Sequence, residues 1–181
     1  PSNLNINVNF KKVDILDLNS LKKLFSGIQY VHHNAALVPL TKSGSRFREV
    51  NVIGTKNILK LSLENEIKHF VHMSSSAVFG IPEVLPIDNY TIRKPAEIYG
   101  NSKKDAEDIV LGLMNSSNTT ISIIRPRTIL GGDRLGIFEL LFRWIEKNEP
   151  IFLIGEGNGL FQFAHIDDIE NASINSSIKE I

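Results

Sequence analysis

The sequence predicts an α/β domain built around a parallel sheet, on three observations. Short apolar runs of strand length alternate with longer stretches of helical spacing, the pattern of successive βαβ units. Proline and glycine punctuate the boundaries. The 181 residues suffice for one domain with a sizeable core.

Lys12 to Ile15 reads as a buried strand. Leu21, Leu24 and Phe25 then give a short helix, with Asn19 or Ser20 as its cap. Tyr30 to His33 is the next strand. Phe47 to Leu63 has helical spacing through Val50, Ile53, Ile58, Leu59 and Leu61. His69 to Met73 is a third strand. Pro82, Pro86 and Pro95 break up a long loop after it. Ala96 to Leu113 carries a helix and Ile121 to Ile124 a strand. Ile137 to Ile145 is a further amphipathic helix and Ile151 to Ile154 a short strand. Gly155-x-Gly157-x-Gly159 reads as a turn into a strand over Phe161 to His165, and Asp167 and Asp168 can cap a last helix.

Composition narrows the function classes. Lys plus Arg and Asp plus Glu balance at 20 each, so there is no basic field for nucleic acid and no polybasic patch for a membrane. The sequence has no cysteine, which excludes disulfides and thiolate metal sites. No apolar run approaches the ~20 residues that span a bilayer. The expected location is a reducing cytoplasm, and the expected partner a small molecule. His32, His33, His69 and His72 fall on strands without metal-site spacing, so they read as structural and no metal is assigned.

The segment richest in chemistry is Tyr99-Gly100-Asn101-Ser102-Lys103. Positions four apart share one helix face, so Tyr99 and Lys103 can address one substrate. Tyrosine is a poor base at neutral pH, with a free pKa of about 10. A neighbouring ammonium favours the phenolate. Upstream lies His72-Met73-Ser74-Ser75-Ser76-Ala77-Val78-Phe79-Gly80, whose serines end a strand. Taken alone, each piece has a bland reading: a tyrosine on a helix flank beside a solvated lysine, and serines in a turn.

The motifs in order are more specific. Val13-Asp14-Ile15-Leu16-Asp17, Val31-His32-His33-Asn34-Ala35-Ala36, Asn51-Val52-Ile53-Gly54-Thr55, Ser74 to Gly80, the Tyr99/Lys103 pair, Arg125-Pro126 and Phe163-Ala164-His165-Ile166-Asp167-Asp168 occur in sequence. Together they resemble the extended short-chain dehydrogenase/reductase family, the NAD-dependent epimerase/dehydratase group, from about Val13 to Asn171. The resemblance implies a Rossmann-like doubly wound parallel sheet, with about 127–165 contributing to a small substrate lobe. It implies NAD or NADP as cofactor, with NAD favoured, and a family habit of pairing helices into homodimers.

The resemblance also implies roles. Ser75 would hydrogen-bond the oxygen undergoing redox change, Tyr99 would be the acid/base, and Lys103 would lower the Tyr99 pKa and hold the nicotinamide ribose. Asp14 and Ile15 would meet the adenine, and Asn34, Ala35 and Ala36 would let the backbone approach the cofactor, with Ser74 and Pro126 beside it. Read as residues only, Asp14 equally fits a strand-end turn and Ala35-Ala36 a tight helix contact. Asn51 fits either a site organiser or a side chain bonded back to its own helix. His165 fits either a place near the substrate lobe or a packed, hydrogen-bonded histidine.

Three departures shape the functional expectation. The Gly-rich turn that opens the family and holds the pyrophosphate at a helix N-terminus is not found before Asp14. With the stop at Ile181, this predicts an internal fragment of a longer protein, one domain over 1–181, incomplete at its N-terminus. Ser76 and Ala77 stand where the family's dehydratases carry Asp-Glu, which argues against elimination of water. Leu160 and Phe161 stand where many sugar-nucleotide epimerases carry a basic residue, and Thr128 where many have Asn. The expected activity is oxidation, reduction or epimerisation at a hydroxyl or carbonyl, with a nucleotide sugar the leading substrate. Ala36-Leu37-Val38-Pro39-Leu40 also resembles the branch that oxidises 3β-hydroxysteroids, and a non-catalytic NAD(P)-binding protein of the same fold is the third reading.

Overall fold

Three parallel strands form the central sheet in the order β1 (Tyr30–His33), β2 (His69–Met73), β3 (Thr120–Ile124). The computed structural model describes residues 8–39, 43–131, 138–153 and 155–178. Register places Val31 beside Phe70 and Phe70 beside Ile121, and His33 beside His72 and His72 beside Ile123. These residues share one face because side chains alternate along a strand. That face carries the main core, in which Phe70 and Ile121 pack with Leu21, Phe25, Ile58, Leu59, Leu61, Ile67 and Val110.

Helices lie on both faces, as a doubly wound sheet requires. Helix α1 (Leu18–Lys22) supplies Leu21 to the core. A π-helical segment, Arg48–Gly54, runs directly into helix α2 (Thr55–Glu64) and turns Asn51, Val52 and Gly54 inward. Helix α3 (Ile98–Leu113) buries Gly100, Ser102, Lys103, Ala106, Glu107 and Val110 along one broad stripe. On the opposite face, helix α5 (Ile166–Ile178) meets β2 and β3, and the Ser173 hydroxyl lies 2.6 Å from His32 Nδ1. Strands β4 (Thr128–Leu130) and β5 (Phe163–His165) form a separate parallel pair, and helix α4 (Glu139–Glu146) precedes β5 with no fully buried residue.

Several sequence expectations are corrected. Lys12 to Ile15 is not a strand; Asp14 and Ile15 open a turn, with Leu16 N–H donating to Asp14 Oδ1 (2.9 Å) and Asp17 N–H to the Asp14 carbonyl (3.0 Å). A strand exists through its ladder, and among the described residues this segment has no ladder partner. The cap of α1 is Asp17, which accepts from Asn19 N–H and Ser20 N–H, rather than Asn19 or Ser20. Ile151 to Leu153 forms no strand. Strand β4 went unread because three half-buried residues carry too little periodicity. Asp167 and Asp168 sit in the first turn of α5, where the His165 ring accepts the Asp167 N–H (3.3 Å). Leu40, Ile137, Ile154 and Ile181, named in the sequence reading, lie outside the described residues.

Candidate active site

Gly80 closes the turn after β2 at φ +60°, a left-handed conformation that glycine adopts without a Cβ penalty. Between β2 and that turn, Ser75 caps a 3₁₀ segment, Ser76–Phe79, by accepting the Ala77 N–H at 3.2 Å. The Ser76 N–H donates to the Pro126 carbonyl (3.0 Å), tying this turn to the end of β3. The buried Pro126 and Ser75 thus belong to one layer, at the carboxyl ends of adjacent strands.

Helix α3 brings Tyr99 to that layer. Glu97 caps it, accepting from Tyr99 N–H (2.9 Å) and Gly100 N–H (2.7 Å). A Cβ on Gly100 would lie 2.6 Å from the Ala77 carbonyl oxygen, so only glycine admits this approach of helix to 3₁₀ turn. The result sets the Ser75 hydroxyl beside the Tyr99 phenol, close enough to favour its ionised form. The Tyr99 ring packs edge-on against Phe47, with centroids 6.0 Å apart.

Lys103 lies one turn further along the same face. It is 3% exposed and donates from Nζ to the Met73 carbonyl at 2.6 Å. Burial lowers its pKa to about 8, against the opposing pull of the Glu107 carboxylate. For Tyr99, burial raises the pKa, the Ser75 hydroxyl lowers it and the Glu97 charge raises it again, leaving it above the ordinary value. The Lys103 ammonium is turned to the Met73 carbonyl, and burial is the largest influence on the phenol.

Two structural knots hold the layer, the first at Asn51 in the organising role the sequence allowed and the second at a residue it did not single out. Asn51 is buried and its amide is fully used. Its Oδ1 accepts the Leu37 N–H (2.7 Å), and its Nδ2 donates to the Leu37 carbonyl (3.1 Å) and to Ser102 Oγ (2.9 Å). Ser102 Oγ in turn donates to the Tyr99 carbonyl (2.7 Å). Asn51 therefore reaches the tyrosine's turn, and its side chain is not spent on its own helix. The second knot is Glu107, fully buried. Ser74 Oγ donates to its Oε2 (2.7 Å), Arg125 Nε to Oε2 (2.9 Å), Arg125 Nη2 to Oε1 (2.7 Å) and Arg93 Nη1 to Oε1 (2.9 Å). Burial pushes this carboxyl up, but the hydrogen bonds from Arg125 and Ser74 and the two guanidinium charges hold it below its usual range. Periodicity reads Glu107 as solvated; its one signal is its place four residues after Lys103.

The remaining predicted positions divide. Ile15, Asn34 and Ala35 line a cleft of about 390 Å³ along the edge of β1, together with apolar side chains such as Leu21 and Phe25. Pro126 and Ser76 line a second cavity of about 400 Å³ on the other side. Asp14 is exposed in its turn, and Ala36 follows Ala35 beyond the first cleft's lining. Ser74 is turned into the Glu107 knot. His165 is exposed and lies 3.4 Å from Asp167 Oδ2.

Three of the four strand histidines are buried, while His32 is exposed and meets the Ser173 hydroxyl. His33 Nε2 lies 2.8 Å from Thr55 Oγ1, and because that hydroxyl donates to the Asn51 carbonyl (2.7 Å), His33 is the donor. His72 stacks against His33 and Phe70. Burial first, then the Lys103 charge, lowers His33 to about 4 and His72 to about 2, His33 adding to the latter. Both are neutral in the fold and charged when unfolded below about pH 6.5. The unfolded chain then binds more protons, so stability present above that pH falls as pH drops through it, by up to ~1.4 kcal/mol per pH unit per histidine. Melting temperatures should fall between about pH 7 and 5, and His72→Phe should flatten the decline; a wild-type profile level over that window would contradict this account.

A parallel sheet with helices on both faces, its polar residues gathered beyond the carboxyl strand ends, defines a Rossmann-like nucleotide-binding class. The chain belongs to the NAD dependent epimerase/dehydratase family, whose model matches residues 1–175. The uncharacterized protein y4nG of Sinorhizobium fredii is 42% identical over 171 residues, 94% of this chain and 43% of that protein. The 3beta-hydroxysteroid-dehydrogenase/decarboxylase isoform 2 of Arabidopsis thaliana is 28% identical, over 94% of this chain and 30% of its own. The UDP-glucuronate 4-epimerase of Thermodesulfobacterium geofontis is 28% identical, over 94% and 55%. The chain thus spans about half or less of the length of these relatives. In fold it is similar to the UDP-glucuronic acid 4-epimerase from Bacillus cereus solved with NAD, with TM-score 0.87 and 24% identity, over 98% of this chain and 58% of the other. Among the described residues, no helix is long and apolar enough to cross a membrane.

Proposed function

We propose that this chain carries the catalytic layer of an NAD-dependent, cytoplasmic oxidoreductase or epimerase acting on a hydroxyl or carbonyl of a nucleotide sugar. The observation that carries this reading is the Ser75 hydroxyl set beside the Tyr99 phenol, with Lys103 one turn away on the same helix face. The likeness to UDP-sugar epimerases supports the substrate class.

The residues present fit a dinucleotide. The apolar cleft at Ile15, Asn34 and Ala35 suits a flat adenine and its ribose. Asp14, Ile15, Asn34, Ala35 and Ala36 would hold that half. Lys103, Pro126 and the main chain at Ser74 would hold the nicotinamide half, Lys103 by donating to ribose hydroxyls. When bound, the nicotinamide supplies a hydride acceptor or donor.

The protein's share is proton handling. Tyr99 takes the substrate hydroxyl proton in oxidation and returns it in reduction. Ser75 Oγ donates to the same substrate oxygen and holds it against the phenol. Phe47 and the closed end of α3 keep water from the ring, and Asn51, through Ser102, fixes the turn that carries it.

A second reading, a dehydrogenase or reductase of sterol-type alcohols, is favoured by the exposed apolar side chains of Ile81, Val84 and Leu85 on the loop beside the layer and by the hydroxysteroid relative. Nicotinamide absorbance separates the two. With UDP-glucuronate or UDP-glucose, an epimerase interconverts the sugar while absorbance stays flat. Steady growth of reduced cofactor with a sterol-type alcohol, while neither UDP-sugar is consumed, would favour the second reading and overturn the first.

A further inference from the structure

Arg125 and Arg127 flank Pro126, yet they are used differently. Arg125 is committed to Glu107 through Nε and Nη2. Arg127 is exposed, and among the described residues it has no carboxylate partner. Its guanidinium lies 4.9 Å from the Phe161 ring centroid. That ring is itself fixed in an aromatic cluster, 5.6 Å from Phe138 and 5.1 Å from Phe163. Arg127 also lines the cavity of about 400 Å³ that holds Ser76, next to the hydroxyl layer.

We propose that the Arg127 guanidinium, held over the Phe161 ring, is the anion-binding group for the substrate, taking a carboxylate or phosphate oxygen in this cavity. The proposal rests on the functional reading above and names the feature of the substrate that this site selects. An arginine stacked through its face keeps its edge N–H donors free, and that fork matches a carboxylate or phosphate. The stacking also lowers the entropy lost on binding. Arg127 is the one cation among the cavity's described lining residues that has no carboxylate partner. Arg125 is neutralised by Glu107, and the Asp88 carboxylate accepts from the Tyr90 N–H (2.9 Å) and the Thr91 hydroxyl (2.9 Å). Leu160 and Phe161 leave that stretch without a basic residue of its own, and the ring of Phe161 receives one from the end of β3 instead.

The test is calorimetric titration of the full protein with UDP-glucuronate, UDP-glucose and UDP, in wild type, Arg127→Gln and Arg127→Lys. NAD is titrated in parallel, and thermal melts confirm that each variant folds. Loss of one charge-assisted contact predicts weaker binding by about 10- to 100-fold in Arg127→Gln, with the Lys variant between. Loss confined to UDP-glucuronate identifies a carboxylate as the bound anion; loss shared by all three identifies the diphosphate. Either supports the proposal. Equal affinities in wild type and Arg127→Gln would overturn it while leaving the nucleotide-sugar reading intact. Wild type binding NAD but none of the three would overturn both.

Discussion

Tyr99→Phe should reduce turnover by about 10²–10⁴-fold, the usual contribution of a positioned proton-transfer group, while NAD affinity stays at the wild-type value. The variant keeps the ring that packs on Phe47 and loses only the oxygen that meets Ser75. The α3 cap at Glu97 and the Asn51–Ser102 link use main-chain atoms of this turn, so they persist. Because burial holds the phenol above its ordinary pKa, wild-type oxidation should quicken as pH rises toward the alkaline range, and the variant should lose that dependence. Turnover of a UDP-sugar and calorimetric NAD titration on both proteins are the measurements. Equal turnover would remove Tyr99 from the chemistry and leave the fold assignment standing.

Glu107→Ala should be the most destabilising single change in the described core, costing about 3–5 kcal/mol. The carboxylate is wholly buried and is met by Ser74, Arg93 and, twice, Arg125. Removing it leaves Arg125 without a counter-charge and Arg93 with Asp108 alone, each guanidinium under a third exposed. Since a domain holds only about 5–15 kcal/mol in total, cooperative unfolding should begin at a much lower denaturant concentration. Glu107→Gln keeps the shape and part of the hydrogen bonding, so its loss should be smaller. Denaturant melts of the three proteins decide the matter. A Glu107→Ala midpoint close to wild type would mean that the cluster is solvated and contributes little.

The elements that were legible in the sequence are those whose pattern is local. His69–Met73 appears at the residues its apolar run marks, and α3 spans nearly the whole predicted stretch because its spacing repeats over four turns. The Tyr99/Lys103 face follows from helix geometry alone. What stayed hidden depends on partners distant in the chain. Lys12 to Ile15 has a strand's composition but, among the described residues, no neighbour to pair with. The orientation of Lys103 toward the Met73 carbonyl, 30 residues away, carries no local signal. Nor does the burial of Glu107, a residue type that reads as solvent-facing until two arginines from separate loops arrive over it. The cap of α1 lies two or three residues before the expected Asn19 or Ser20, because Asp17, Asn19 and Ser20 are all good capping types and only Asp17 is placed to accept the free N–H groups.

Tyr99, Lys103 and Glu107 occupy successive turns of a single helix stripe, each fastened to the serine-bearing strand end or its neighbours. Evolutionary drift along that stripe would sacrifice folding and reactivity together, so innovation is channelled elsewhere. The segments 81–92 and 151–163, rich in exposed apolar side chains and free of such fastening among the described residues, are where a lineage can trade one substrate for another without rebuilding its engine.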